Sequence, residues 1–428
     1  MKKVLIITNL HASPRIPGLA KYLLEFGWRP IILTIPVDEK PDLQARVIEV
    51  PTRHYNLGFW KKKLFASKSV QSRRERVAKR LGVTSKKSFA DFLVAFYSRL
   101  HTLYSAVFDY PDSERGWKTF AAAAGNELLQ NEHIDAVISS SSPVTSHLIA
   151  KELKIKHGIP WIADLRDLWS QNHNYSFGAI RKVIDRRLEV RTLSRADALT
   201  TTTKPWAEKL RMLHKRKRVY AVIHGFDPVV VDRKRAKLTS KFTITYTGTI
   251  YLGKQEPSKL FATLRDLISS GHIDAKDVEV RFYGYEKQWL VREIEEYGLP
   301  DIVKLYKKVP RRVVFEKQKE SQLLLLLNWE DRQVKGWCPL KLIDYLAARR
   351  PILATGGFGN DVIYRLLNET KAGIYCETLE DTKKTLMKLY SQYKLRGRTT
   401  YTGDIEKINK YSYREMAKKF AKILDEIA

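Results

Sequence analysis

The sequence predicts an α/β protein of two doubly wound domains, each a mostly parallel sheet covered by helices. Three observations predict it. Short β-rich runs alternate with helical patterns through both halves of the chain, the signature of βαβ units. One run, SQLLLLLNW at 321–329, is apolar over five successive leucines, as a strand covered on both faces requires. The 428 residues exceed one domain at roughly 100–200 residues each, and PVVVDRKRAKLTS at 228–240 separates two alternating series as a linker.

The first series, 1–227, opens with the strand KVLIITN. The first residues, MKKVLIITNL, have a basic start but no long apolar region and no A-x-A site, so they read as a buried strand and not as a signal peptide. A helix is expected over Gly18–Phe26, where Leu19, Tyr22, Leu23 and Phe26 recur at helical spacing. RPIILTIP and ARVIEVP continue the strands. Residues from about 54 to 130 leave the rhythm: they are basic, aromatic and helical in pattern, and read as an insertion outside the sheet. AVISSSSP and IPWIADLRD then flank a helical stretch, and ADALTTTT and VYAVIHGF follow the same alternation. The second series, 241–405, begins with KFTITYTGTI and proceeds through a helix at Ser258–Ser269, VEVRFYGY, a helix at Lys287–Tyr297 and VKLYKKVP. SQLLLLLNW, the helix KLIDYLAARR, PILATG and AGIYCE complete it. The last residues, YSYREMAKKFAKILDEIA, form a helix with an apolar stripe of Met416, Phe420, Ile423, Leu424 and Ile427. Two doubly wound halves facing each other leave a cleft at the carboxyl ends of their strands, where ligands bind.

Composition narrows the function. Hydrophobic residues make up 44% and charged residues 29%, which excludes a disordered chain. No run reaches the roughly 20 apolar residues of a membrane span. The two cysteines, Cys338 and Cys376, build neither a disulfide framework nor a metal cluster, so a reducing, cytoplasmic compartment is expected. The net charge of +30 calls for an anionic partner: nucleic acid, anionic lipid or a phosphorylated small molecule. In Lys61–Lys87 the cations interleave with Leu64, Phe65, Val70 and Val77, the pattern of a basic amphipathic segment on an anionic membrane surface, at about 1 kcal/mol per Lys or Arg. A solvated face is the plainer reading of the same run. Nucleic acid is not expected, since no C2H2, RNP or helix-turn-helix signature is present.

Candidate site residues gather at strand–helix turns. In GWCPLKLIDYLAARRPILA, 336–354, Lys341 and Asp344 sit at the start of a helix, where free N–H groups and the positive dipole end favour anions. Lys341 can meet phosphate and Asp344 ribose hydroxyls; a local i, i+3 pair worth about 0.2–0.5 kcal/mol is the competing reading. In TYTGTIYLGKQEP, Gly248 lets the backbone pass close to a ligand, with Thr249 and Lys254 following. Neither a Walker loop nor a G-x-G-x-x-G follows the first strand, which argues against ATPases and dinucleotide enzymes. Gly356 and Gly357 form a permissive loop near the donor or a plain turn. In IADLRDLW, Asp164, Arg166, Asp167 and Trp169 end a parallel strand, either pointing into the cleft or locking the loop as an Arg–Asp pair. Ser142, in SSSSP, ends the preceding strand. His11 and Arg15 are expected to face an acceptor, and His147 and His224 read as structural.

The order of SSSSPVTSHLIAKELKIKHGIPWIADLRDLW, VIHGFD, YTGTIYLGK and GWCPLKLIDYLAARRPILA resembles the GT-B glycosyltransferases, and is similar to family 4 retaining enzymes of the branch that makes surface polysaccharides and glycolipids. The resemblance spans nearly the whole chain. It implies two Rossmann-like domains, with an acceptor-binding N-terminal domain, a nucleotide-sugar-binding C-terminal domain, and a last helix, 406–428, returning to the first. It implies that Asp344 is the second acid of an E-x7-E pair that holds the donor ribose, with Gly336 in place of the first acid. Lys341 matches the Lys preceding that acid, and the family's phosphate-binding Arg and Lys fall on Thr249 and Lys254. The implied reaction is retaining sugar transfer from a nucleotide-diphosphate sugar to a lipid-linked, glycolipid or polysaccharide acceptor. Asp164, Arg166 and Asp167 serve as catalytic groups, and no cofactor or essential metal is needed. Location on the inner face of the cell membrane follows. The alternatives are a non-catalytic scaffold with a degenerate donor site and, from the charge alone, a basic nucleic-acid-binding protein.

Overall fold

The computed structural model describes residues 1–37, 43–53, 110–175, 177–231, 236–284, 288–331 and 333–428. The basic segment 61–87 and most of the helical insertion lie outside the described residues. The chain divides into two compact units: Met1–Thr201 with Ala207–Tyr220 and Phe420–Ala428, and Thr202–Trp206 with Ala221–Lys419. The passage between them falls at 220–221, ahead of the 228–240 stretch expected as the linker.

The first unit is built on β1 (Lys2–Ile7), β2 (Trp28–Thr34), β3 (Arg46–Glu49), β4 (Ala136–Ser141), β5 (Trp161–Leu165), β6 (Ala198–Thr201) and β7 (Arg218–Ala221), in sheet order β3-β2-β1-β4-β5-β6-β7. The pairs from β3 through β6 are parallel. Its helices are α1 (Arg15–Leu23), α2 (Lys118–Asn131), α3 (Thr145–His157) and α4 (Ala179–Leu193), with α5 (Lys204–Leu213) following β6. Helix α1 starts three residues before the expected Gly18, because Pro17 fits its first turn and Ser13 accepts the Arg15 N–H at 3.2 Å. Its continuation stops at Gly27, whose φ of +83° needs no Cβ.

The second unit carries β8 (Phe242–Thr247), β9 (Val278–Tyr283), β10 (Val303–Tyr306), β11 (Leu323–Leu327), β12 (Ile352–Thr355) and β13 (Gly373–Cys376), in order β10-β9-β8-β11-β12-β13. Every pair in this sheet is parallel. Helices α6 (Ser258–Ser269), α7 (Gln288–Glu296), α8 (Arg311–Glu320), α9 (Leu340–Ala348), α10 (Val362–Thr370) and α11 (Leu379–Arg396) cover it. The leucines of β11 alternate between the two cores: Leu323, Leu325 and Leu327 pack with Phe242, Ile244 and Phe261, and Leu324 and Leu326 with Leu342, Ile343 and Ile363. This two-sided burial explains the unbroken apolar run. A Cβ on Gly373 would lie 2.2 Å from the Ile352 carbonyl oxygen, so only glycine lets β13 reach β12.

In both sheets the order reverses beside the first strand, between β1 and β4 and between β8 and β11. Such switch points open crevices at the carboxyl ends of the strands. The final helix, α12 (Tyr413–Ile427), contributes Phe420 onward to the first unit. There the Arg15 guanidinium lies 5.3 Å from the Phe420 ring, and the Trp28 indole donates to Asp425 at 3.2 Å.

Candidate active site

The second unit gathers its expected donor residues at the β8/β11 switch point. β8 ends at Gly248, with φ +106°, and its N–H donates to Tyr283 O at 2.8 Å. A Cβ on Gly284 would sit 2.5 Å from the Gly248 oxygen, so β8 and β9 finish in two glycines that let their backbones close. Lys341, in the first turn of α9, reaches this point: a Cβ on Gly248 would be 3.2 Å from its Nζ. The ammonium lies 3.9 Å from the Tyr246 ring centroid and donates to the Tyr246 hydroxyl, which donates on to Thr249 O at 2.8 Å. Burial lowers the Lys341 pKa to about 7.

Two helix starts converge on the same edge. Pro339 and Pro257 precede α9 and α6, no side chain caps either helix, and neither carries an acid in its first turn. A cation in the first turn opposes the helix dipole, so Lys341 is unfavourably placed there until an anion arrives. The short connection from α9 into β12 has a local cause: Arg349 turns into the left-handed region at φ +52°, and Pro351 forbids helix continuation.

Asp344 is not turned into the interior. Its side chain is 21% exposed and accepts from Arg311 at 2.6 Å, not from Lys341. Burial raises its carboxyl pKa, and Arg311 opposes the rise. The competing reading, a local Lys341–Asp344 pair, therefore gives way to two separate partnerships. Lys254 spreads over Trp329, 5.1 Å from the ring, while its carbonyl accepts the Glu330 N–H at 3.0 Å. Gly356 and Gly357, at φ +82° and +74°, follow β12; Cβ atoms there would strike Glu330 Oε1 at 2.5 Å and Asn328 Nδ2 at 2.2 Å. The positive φ angles suit glycine at both positions, in a turn packed against Glu330 and Asn328.

Gly336 has a structural reason. At φ +91°, a Cβ would lie 2.6 Å from the Trp206 ring, whose Nε1 donates to Lys335 O at 3.1 Å, and Thr203 Oγ1 donates to Gly336 O at 2.7 Å. An acid at 336 would have no room.

The first unit corrects two expectations. Asp164 and Arg15 are both fully buried and pair with each other through two contacts of 3.1 Å. Asp164 also accepts from Ser140 at 2.8 Å and Thr200 at 2.7 Å. Burial pushes its carboxyl up, but Arg15 and the hydroxyls prevail and hold it below the usual range. Asp164 therefore fastens α1, β4, β5 and β6 together instead of meeting a substrate, and Arg15 faces inward instead of toward an acceptor. Arg166 donates to Ser141 O at 2.5 Å and Ser142 O at 2.6 Å, locking the end of β4. Burial lowers its pKa to about 10, which leaves it charged at neutral pH. Trp169 is buried against His147, and His147 bonds Ser139 at 2.7 Å. Burial takes the His147 pKa down to about 3, so it is neutral and structural, as read from sequence. Asp167, Ser142 and His11 are the exposed members of the set, at the carboxyl ends of the adjacent strands β5, β4 and β1.

Four site residues escaped the sequence reading. Tyr246 lies two residues before Gly248, on the face of β8 that strand parity gives it. Asn328, the first polar residue after the leucines, donates to Asp361 at 2.6 Å. Arg311 and Glu330 come together with their partners only through tertiary contact.

The family model for the glycosyl transferase 4-like domain matches residues 12–225, half of the chain. The chain belongs to the glycosyl transferase 4-like family. No curated protein sequence matches this glycosyltransferase. Solved structures share its GT-B fold along the whole length. Sucrose-phosphate synthase from Thermosynechococcus elongatus is 13% identical, with 100% of this chain and 99% of that one covered and a TM-score of 0.58. The α,α-trehalose 6-phosphate synthase from Burkholderia multivorans is 10% identical over 100% and 99%, with a TM-score of 0.57. A lipopolysaccharide outer core galactosyltransferase in its apo form is 12% identical over 99% of both, with a TM-score of 0.55.

Proposed function

We propose that this glycosyltransferase takes its sugar from a nucleotide-diphosphate donor and passes it, with retention, to a lipid-linked, glycolipid or polysaccharide acceptor at the inner face of a membrane. One observation carries the donor half: a half-buried lysine with its pKa lowered to about 7 stands in the first turn of an uncapped helix, against a left-handed glycine. Lys341, Lys254 and the starts of α6 and α9 receive the diphosphate; Gly248 and Thr249 give it backbone room; Asp344 takes the ribose once Arg311 yields. Gly356 and Gly357 shape the donor side. As the bond from the anomeric carbon to the phosphate oxygen breaks, that oxygen gains charge, and these preorganised groups stabilise it more than they stabilise the intact donor. The acceptor hydroxyl forms the new bond on the face of the anomeric carbon that the phosphate leaves, and its proton passes to the departing phosphate oxygen. Asp167, the accessible carboxylate at the end of β5, is the group placed to interact with the acceptor, with Ser142 and His11 beside it.

Among the described residues, no helix is long and apolar enough to cross a membrane. Membrane attachment through 61–87 remains a reading of the sequence, as does independence from metal. The test is calorimetry against UDP-, GDP- and ADP-sugars, with and without chelator. One donor binds in the low-millimolar range or tighter, the chelator changes nothing, and Lys341→Met weakens binding at least about tenfold. A folded protein that binds none refutes the proposal. Asp344→Ala with unchanged cellular glycan output favours the scaffold reading.

A further inference from the structure

We propose that helix α4 is a membrane-docking surface that lies on an anionic bilayer, separately from the segment at 61–87 and independently of which donor the enzyme takes. The helix sorts its charges in an unusual way. Both of its acids point inward. Buried Asp185 accepts from Tyr175, and buried Glu189 accepts from the Ser170 N–H at 2.9 Å and from its hydroxyl. Arg181 points inward as well, pairing with Asp185 at 3.2 Å between the Tyr110 ring at 4.2 Å and the Phe177 ring at 4.9 Å.

What remains outside is apolar or positive. Ile180 is 80% exposed, Val183 51%, Ile184 45% and Val190 38%. These residues, with Arg187 and Arg191, recur at three- and four-residue intervals and make one continuous stripe along the helix. Lys182 and Arg186 border it, and all four cations are exposed. No carboxylate of α4 reaches that face. A soluble surface helix would place its apolar residues toward the core; α4 instead turns Arg181, Asp185 and Glu189 inward, each with a partner, and leaves most of its aliphatics outside.

Charge complementarity selects the occupant. A face of four cations without an acid, interleaved with β-branched aliphatics, fits negatively charged headgroups above an acyl boundary. The basic run Lys61–Lys87, with Glu75 as its single acid, is repelled by such a face, and so is a second copy of it. Nucleic acid would match the charge but gains nothing from the aliphatic stripe. The placement also suits the chemistry. Ser170 and Tyr175 tie the loop from β5 to α4, and that loop carries Asp167. A docked α4 holds the acceptor-side carboxylate close to a lipid-borne acceptor.

The test uses the full chain with Val183→Cys bearing an environment-sensitive dye, the native Cys338 and Cys376 both being buried. Vesicles of phosphatidylcholine with phosphatidylglycerol shift the dye emission to the blue, and phosphatidylcholine alone does not. Combining Arg186→Glu, Arg187→Glu and Arg191→Glu weakens partition onto the anionic vesicles by roughly a hundredfold or more, at about fivefold per cation removed. An unchanged far-ultraviolet circular dichroism spectrum and melting temperature report that the variant is folded. Three outcomes overturn the proposal: the chain sediments with vesicles while the dye stays unshifted; the dye shifts without vesicles as protein concentration rises, which marks a self-association surface; or the dye responds to duplex RNA and not to lipid.

Discussion

Lys341 and Asp164 show how burial alone does not set a charged residue's part. Asp164 is compensated on every side and acts as a rivet. Among the described residues, Lys341 is held by the hydroxyl and ring of Tyr246 alone, which carries no opposite charge, and its ammonium is left poised. The folded state releases the Lys341 proton at about 7, while the unfolded chain keeps it to 10.5. Between these values the unfolded state binds more protons, so stability rises with pH across that window, and the penalty is complete below pH 7. Thermal unfolding from pH 6 to 10 should show this rise, and Lys341→Met should flatten it. A bound diphosphate restores the proton. Donor-nucleotide affinity should therefore fall above pH 7, by up to about tenfold per unit, with proton uptake seen by calorimetry in buffers of different ionisation enthalpy. Affinity that is flat from pH 7 to 9 would remove Lys341 from the phosphate site.

The loop between β11 and α9 shows an element adapting to a lost acid. Family resemblance places an acid at 336, yet the glycine there is left-handed and pressed against Trp206. Gly336→Glu, which restores the family motif, is expected to destabilise by about 1–3 kcal/mol and to leave transfer no faster. Chemical denaturation measures the first and initial rates the second; a stable, faster variant would show that the loop has another way to fold. Most elements were legible: α6 was placed at Ser258–Ser269 without error, and the alternation gave every described strand. Helix α4 was not read as an element, because Arg187 and Arg191 share the exposed stripe with its aliphatics and Leu193 is buried with the polar face, which weakens the apolar periodicity on which a sequence reading depends.

At the scale of the molecule, the charge of +30 repels itself. Raising ionic strength from low to physiological, where the screening length is about 8 Å, should increase the melting temperature without any ligand. A melting temperature that falls with salt would mean that the surface cations are already neutralised by internal pairing. The two units rest on one design, a parallel sheet whose strand order reverses beside its first strand, and each places its candidate groups on the carboxyl edge.

The sequence by itself determined the fold class, the order of the strands and the residues near the strand ends, because apolar periodicity and turn chemistry are local properties of the chain. Tertiary structure decided which of those residues are available. Asp164 and Asp167 stand three positions apart in one motif, and nothing local distinguishes them. Arg15, 149 residues before Asp164, closes over one carboxylate and leaves the other at the surface. The same holds for Lys341, whose poise comes from Tyr246, 95 residues away. Long-range packing sets desolvation and pairing, and those decide whether a charge holds the fold or stays ready for a ligand.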